Sequence, residues 1–118
     1  MEENIELLLE SASDHTREAV TALFEMHEVV SFCLAGLIDE NNDDFQKSLA
    51  DAHYFATQTR IDADNIDDKL KLTVVKLMIL AKTAHTYFAT ELAERSAEIE
   101  MLLRATCFEI MNDIDEIE

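Results

Sequence analysis

The feature that most limits the fold of this 118-residue chain is its near lack of turn-forming residues: it contains one glycine and no proline. Tight turns between strands depend on such residues, so a β-sandwich or β-barrel is disfavoured. Hydrophobic residues make up 48% of the chain, which is enough to build a core and excludes a disordered acidic tail. The composition therefore predicts a single all-helical domain over residues 1–118.

The charge of the chain excludes several classes of function. Asp and Glu total 26 against 9 Lys and Arg, a net charge of −17, which repels phosphates and argues against nucleic-acid binding. Apolar runs are short, so no membrane insertion is expected, and the first residues are acidic where a signal peptide is basic. With only two cysteines and no C-x-x-C, we expect a cytoplasmic protein with reduced thiols.

Apolar residues recur in steps of three and four along most of the chain, which is the period of amphipathic helices. The pattern predicts an antiparallel bundle of three long helices, over about residues 3–38, 44–84 and 90–117. The polar run 39–44 is the loop between the first two, with Asp43 or Asp44 as the cap of the second helix. The second break is placed within residues 83–90, where threonines lower helix propensity.

The second predicted helix carries two apolar faces instead of one. At about 100° per residue, two separate sets of side chains cluster: Ile66, Leu70, Val74 and Leu77 form the first, and Ile61, Leu72, Val75 and Ile79 form the second. A surface helix needs only one apolar stripe. Either this helix lies centrally in the bundle or another copy of the chain covers its second face, as in a homodimer.

No catalytic constellation is recognisable in the sequence. A Gly-rich phosphate loop, a nucleophile motif and the Glu-x-x-His spacing of di-iron bundles are all missing. We therefore expect a non-enzymatic protein without catalytic residues or an organic cofactor. His27 lies on the apolar stripe of the first helix, which favours a neutral, hydrogen-bonded core histidine over a metal ligand.

Pairs of acidic residues one helical turn apart are the remaining candidates for chemistry. Two of them, Asp64/Asp68 and Glu109/Asp113, border packing faces. A carboxylate in that position needs a partner, either a cation or Lys/Arg, to offset its desolvation and the repulsion within the pair. Carboxylate oxygens suit Mg²⁺, Ca²⁺, Mn²⁺ or iron. Three further pairs lie in polar surroundings and are predicted to be solvated charge: Glu10/Asp14, Asp39/Asp43 and Glu40/Asp44.

Two segments of the chain resemble the motifs of PhoU-like domains. The segment Ile61-x-x-Asp64-x-x-x-Asp68-x-Leu70 is similar to the second-helix motif of that family. The segment Phe108-Glu109-Ile110-Met111-Asn112-Asp113 is similar to its third-helix L-E-R-I-G-D motif. The family's usual two three-helix repeats exceed this length, so the resemblance implies one repeat, with a second copy of the chain in place of the other.

The resemblance implies a regulatory role. PhoU-like proteins are cytoplasmic helical modulators of phosphate uptake and phosphate signalling that act through a transporter or a sensor kinase. Some of them bind iron or another divalent metal through such acidic pairs. Carried over to this chain, the resemblance implies a metal site formed by Asp64, Asp68, Glu109 and Asp113.

The charge of the chain also supports a function of another class. A small helical protein with a charge of −17 could imitate the phosphate array of DNA and inhibit a DNA-binding protein. Adaptation to high salt would explain the same charge without specifying a function. The acids do not follow one continuous face, which counts against the decoy. We therefore keep the decoy as the alternative to a PhoU-like regulator.

Overall fold

The computed structural model describes residues 3–58, 61 and 65–117, and within these ranges it contains helices and connecting turns but no strand. The helices are α1 (Glu3–Leu8), α2 (Asp14–Leu34), α3 (Asp43–Gln58), α4 (Asp68–Ala89) and α5 (Ala97–Ile117), with a one-turn 3-10 helix at Leu92–Glu94. The predicted all-helical class is confirmed. None of the helices in the described ranges has both the length and the apolar character needed to span a bilayer.

The first predicted helix, over residues 3–38, is interrupted in the structure. Ser13 is extended, with φ −66° and ψ 159°, and its hydroxyl accepts a hydrogen bond from the Thr16 amide at 3.1 Å. This is the N-cap geometry of a new helix, so α2 begins at the next residue. The apolar period continues through the interruption, because Ile5 and Leu9 are buried with the rest of the core. Periodicity alone therefore does not reveal it.

The end of α2 is set by the single glycine, earlier than predicted. Gly36 has φ +78°, a conformation that glycine adopts without steric cost. Its amide donates to the Cys33 carbonyl at 3.0 Å, and the Leu37 amide donates to the Phe32 carbonyl at 2.9 Å. These two bonds form a Schellman motif, which satisfies the last carbonyls of α2. The connection to α3 consequently spans residues 35–42.

The cap of α3 is Asn42, so the prediction of Asp43 or Asp44 is wrong. The Asn42 Oδ1 accepts hydrogen bonds from the amides of Asp44 at 2.8 Å and Phe45 at 3.3 Å. The two aspartates instead lie inside the first turn of α3, where their charges interact favourably with the helix dipole.

The second predicted helix, over residues 44–84, is in fact two helices. α3 ends at Gln58, and the side chain of Asp67 caps the start of α4 by accepting from the Lys69 amide at 2.9 Å. Asp67 has ψ 141°, which is not helical. As at Ser13, a local cap begins a new helix although the apolar pattern is continuous.

The predicted break within residues 83–90 is shifted toward the C-terminus. α4 continues to Ala89, and the hydroxyls of Thr86 and Thr90 donate to carbonyls four residues earlier, at 3.2 and 2.9 Å. These bonds, the buried Ala84 and the partly buried Tyr87 and Phe88 outweigh the low helix propensity of threonine. Thr90 leaves the helix with ψ 141°, and α5 begins at Ala97.

The four long helices form an up-down-up-down bundle in place of the three predicted helices. Phe45, at the start of α3, packs edge-on against Phe88, near the end of α4, with ring centroids 5.0 Å apart. Lys76 of α4 contacts Asp113 near the end of α5, so these helices are also antiparallel. α2 and α4 contact each other across the bundle and both contact α3 and α5.

The first apolar face is buried as predicted: Leu70, Val74 and Leu77 of α4, and Ile66 just before it, are each at most 4% exposed. The second face is uncovered at Leu72, Val75 and Ile79, which are 62%, 49% and 54% exposed. Its fourth predicted member, Ile61, lies before α4 and packs partly buried against the core, so that part of the prediction is wrong. A central position of this face within one chain is thereby excluded. Its cover by a second copy stays a prediction.

Candidate functional site

The predicted metal ligands lie along the boundary between α4 and α5, except for Asp64, which is outside the described residues. Asp68 is at the start of α4, where its side chain is 93% exposed and pairs with Lys71 at 3.0 Å. Glu109 and Asp113 lie one turn apart on α5, with side chains 61% and 24% exposed. The structure thus places the described members of the two pairs on neighbouring helices.

Lys76 of α4 holds the second acidic pair. Its Nζ lies 2.8 Å from Oε1 of Glu109 and 2.7 Å from Oδ2 of Asp113, and the same Oδ2 accepts a 3.5 Å hydrogen bond from Thr73. The hydrogen bonds to Asp113 and Glu109 raise the pKa of the Lys76 ammonium above its usual range. The sequence left two possible partners for this pair, a metal ion or a Lys or Arg side chain. The structure shows a Lys partner.

A cavity of about 380 Å³ lies between the start of α4 and the end of α5. Asp68 and Asp113 both line it, together with Glu116, a carboxylate that sequence analysis missed. Glu116 follows Asp113 by three residues, and this spacing places the two on the same side of a helix. In the described part of the chain, no three His, Cys, Asp or Glu side chains form a group that could hold a metal ion. The four-carboxylate site, which includes Asp64, stays a prediction.

A second charged cluster was not predicted and lies at the opposite end of α4. Arg95 binds Glu40 through two nearly parallel bonds, of 2.7 Å to Oε1 and 2.6 Å to Oε2. The Arg95 side chain is 8% exposed and that of Glu40 is 27% exposed, so the prediction that Glu40 is solvated charge is wrong. The Arg95 hydrogen bond lowers the pKa of Glu40 below its usual 4.5. This pair joins the α2–α3 connection to the α4–α5 connection.

Further contacts of Arg95 hold the end of α4 in place. Its Nε donates to the Thr90 carbonyl at 2.9 Å, where α4 ends. The guanidinium also lies 5.0 Å from the ring centroid of Tyr87 and 5.3 Å from that of Phe88, within range of a cation–π interaction. The cluster is therefore a structural clasp between two connections.

His27 confirms the prediction of a hydrogen-bonded core histidine. It is 8% exposed, and its Nε2 donates to the Cys107 carbonyl of α5 at 3.0 Å. Burial lowers its pKa below the usual 6.5, more than the Cys107 bond and the charge of Glu28 raise it. Burial likewise raises the pKa of the Cys107 thiol, which keeps it protonated at neutral pH. Both cysteines are reduced in the structure.

Two histidines that gave no signal in the sequence meet between α3 and α4. The rings of His53 and His85 stack at a centroid distance of 3.6 Å and an interplanar angle of 13°. Burial lowers the pKa of His53, as do the neighbouring charges of His85 and Lys82. The two histidines are 32 positions apart, so no local sequence motif reveals this contact.

Comparison with known proteins assigns no relative to this chain: no family model matches it, and no curated protein or solved structure does.

Proposed function

We propose that this chain is a non-enzymatic regulatory domain that acts by binding other protein chains, and that a second copy of the chain binds the outer face of α4. The observation that carries the proposal is the exposed row formed by Leu72, Val75 and Ile79, each about half exposed or more. Three large apolar side chains adjoining on one helix face mark an interaction surface better than single exposed ones do.

The charge of α4 favours a second copy as the occupant of this face. α4 contains four lysines against a single acid, Asp68, a net charge of +3 in a chain of −17. Two chains that meet through α4 therefore bring their least acidic surfaces together and keep their acidic surfaces apart. Screening by salt should strengthen this association, because the whole chains still repel each other.

The proposed association is tested with the substitution Ile79→Glu, which places a charge at the C-terminal end of the apolar row. Tyr54→Glu is the matched control, because Tyr54 is 56% exposed and lies on α3, not on α4. Light scattering at several hundred micromolar protein in about 150 mM salt should give a dimer mass for the native chain and for Tyr54→Glu, and a monomer mass for Ile79→Glu. A monomer mass for the native chain would overturn the proposed association.

For the cellular process, we propose the role implied by the PhoU-like resemblance: modulation of phosphate uptake or phosphate signalling in the cytoplasm through a transporter or sensor kinase. The support is the two motif segments: the first reaches α4 with Asp68 and Leu70, the second lies on α5, and these two helices are in contact. Phosphate uptake should change when the chain is deleted from the cells that make it and return when it is restored. Uptake that is unaffected by deletion would contradict this role.

Metal binding at Asp64, Asp68, Glu109 and Asp113 is the second part implied by the resemblance, with iron as the first candidate. Carboxylate oxygens fit such a cation, although it would compete with the Lys76 ammonium for Glu109 and Asp113. A metal ion that binds the folded chain but not the unfolded chain should raise the free energy of unfolding by about 2.7 kcal/mol when its free concentration is a hundred times Kd.

The substitutions Asp68→Asn and Asp113→Asn should together abolish this gain in thermal stability on adding Fe²⁺ or Mn²⁺. Asp14→Asn and Asp43→Asn, at exposed positions on α2 and α3, are the matched control and should leave the gain intact. If the two double variants respond alike, the effect of the metal is nonspecific screening and the proposed site is wrong.

The acidic decoy remains the second candidate function, because most carboxylates of the chain face solvent. Among the acids whose side chains the structure describes, all are exposed except four that are partly buried: Glu40, Asp51, Glu100 and Asp113. A decoy should bind a DNA-binding protein in competition with DNA and lose this binding steeply as salt rises. Binding measured against a panel of DNA-binding proteins at two salt concentrations distinguishes the decoy function from the regulatory one.

A further inference from the structure

An apolar groove runs along the boundary between α2 and α5, on a different side of the bundle from the outer face of α4. It consists of two adjoining cavities of about 380 and 200 Å³ that share Ser31 and Met111 in their linings. Phe24, His27 and Cys107 line its buried side, each at most 8% exposed. The groove therefore has a packed, largely apolar floor.

Large apolar side chains at the rim of this groove are exposed to solvent. Phe32 of α2 is 41% exposed, and Met111 and Phe108 of α5 are 48% and 61% exposed. Methionine is flexible and polarisable, so Met111 can adjust to the shape of an incoming apolar side chain. This combination of floor and rim is suited to an apolar helix face.

The charged side chains around the groove indicate the charge that a partner should carry. Glu25 and Glu28 line the larger cavity on the α2 side. Arg104 is the basic residue among the described lining side chains, and it already pairs with Glu100 at 3.3 Å. A second copy of this chain would bring another charge of −17 to an acidic rim, so the groove favours a basic partner.

We propose that this groove binds a basic amphipathic helix of a partner protein. The groove extends from Thr21 to Ala35 along α2, about 21 Å at 1.5 Å per residue, which matches a helix of about 14 residues. Apolar side chains of that helix, spaced three and four residues apart, would cover Phe24, His27 and Cys107, while its Lys or Arg side chains pair with Glu25 and Glu28. The inference rests on the proposed function, because it names the partner class of the interaction domain.

The test uses fluorescently labelled synthetic peptides of leucine and lysine as the probe. One peptide has its leucines on a single helix face, and a second has the same composition in an order that leaves no apolar face. We expect the native chain to bind the first peptide at least about tenfold more tightly than the second, since only the first can bury a face. Fluorescence anisotropy at two salt concentrations measures both affinities.

Substitutions on the groove locate the binding. Met111→Glu should weaken binding of the amphipathic peptide by about tenfold or more, because it places a charge in the buried contact. Glu25→Gln with Glu28→Gln should weaken it severalfold and reduce its salt dependence. Tyr54→Glu, on α3, is the matched control and should leave the affinity unchanged. Circular dichroism verifies that each variant keeps its helical content.

Equal binding of the two peptides would overturn the proposal that the groove binds an amphipathic helix. It would indicate the nonspecific charge attraction expected of a decoy. Unchanged affinity in folded Met111→Glu would overturn it as well. The oligomeric state distinguishes this failure from that of the α4 association: Met111→Glu should keep the dimer mass, and Ile79→Glu should lose it. If the native chain is a dimer and no peptide binds, the proposed function of the groove is wrong and the proposed α4 association stands.

Discussion

At the scale of single residues, the Arg95–Glu40 pair is a contact that the sequence alone does not predict. Both residues are unremarkable in the sequence, since Glu40 lies in an acidic turn and Arg95 in a stretch without periodicity. They are 55 positions apart, and only the fold brings the guanidinium and carboxylate within 2.6–2.7 Å. The low exposure of Arg95 makes its single carboxylate partner important, because an unpaired buried charge is costly.

Glu40→Gln should therefore lower the free energy of unfolding by about 1.5–3 kcal/mol, the range for a hydrogen bond between charged groups. The loss should be largest at neutral pH and shrink as pH falls through the lowered pKa of Glu40, where the native carboxylate is itself protonated. Chemical denaturation measures the change.

The matched control for this prediction is Asp51→Asn, which breaks the Lys47–Asp51 pair on α3, whose side chains are 78% and 48% exposed. Exposed pairs of this spacing contribute little, so the control should be nearly neutral. Equal losses in Glu40→Gln and Asp51→Asn would contradict the assignment of Arg95 and Glu40 as a clasp.

At the scale of elements, the helices follow local chemistry more closely than apolar periodicity. The interruption before α2, the end of α2 and the start of α4 are set by Ser13, Gly36 and Asp67. Each is of a type that favours the end of a helix, so these signals were present in the sequence. At Ser13 and Asp67, buried apolar residues continue at helical spacing on both sides, so periodicity alone predicts an uninterrupted helix there.

The two faces of α4 illustrate which element-scale predictions are dependable. The spacing of Leu70, Val74 and Leu77 predicted a buried face correctly, because a bundle core requires a stripe on every inner helix. The spacing of Leu72, Val75 and Ile79 predicted a second apolar face, but its surroundings depend on neighbouring helices. The number and order of these neighbouring helices differ from the prediction, because the second predicted helix is two helices in the structure.

At the scale of the whole molecule, α2 and α5 are joined by a titratable group in the core. His27 of α2 donates to the Cys107 carbonyl of α5 from a nearly buried position. Its pKa is lowered in the folded state, so the unfolded chain binds a proton more readily. Glu28 is the charged group that opposes this shift, and it is too weak to reverse it.

The sign of the pH dependence follows from this difference. Stability is full above the unfolded pKa near 6.5 and is lost as pH falls through the lowered folded pKa of His27. We expect the free energy of unfolding to decrease between pH 7.5 and 5.5, by up to about 1.4 kcal/mol for each unit of pKa difference. His53, whose pKa is also lowered, adds to the same trend.

The substitution His27→Gln keeps a donor for the Cys107 carbonyl and removes the titration. The pH dependence of its unfolding free energy should be weaker than that of the native chain, with the remainder removed by adding His53→Gln. An unchanged slope between pH 7.5 and 5.5 in both variants would show that other groups cause the acid sensitivity.

What followed from sequence is what depends on composition and short-range spacing: the helical class, the buried face of α4 and the core position of His27. These depend on the cost of turns and on the burial of apolar side chains, which neighbouring residues largely decide. The tertiary structure decided the rest: the four-helix order, the Lys76 and Arg95 pairs and the α2–α5 groove. Each joins residues far apart along the chain, and only the packing of whole helices brings them together.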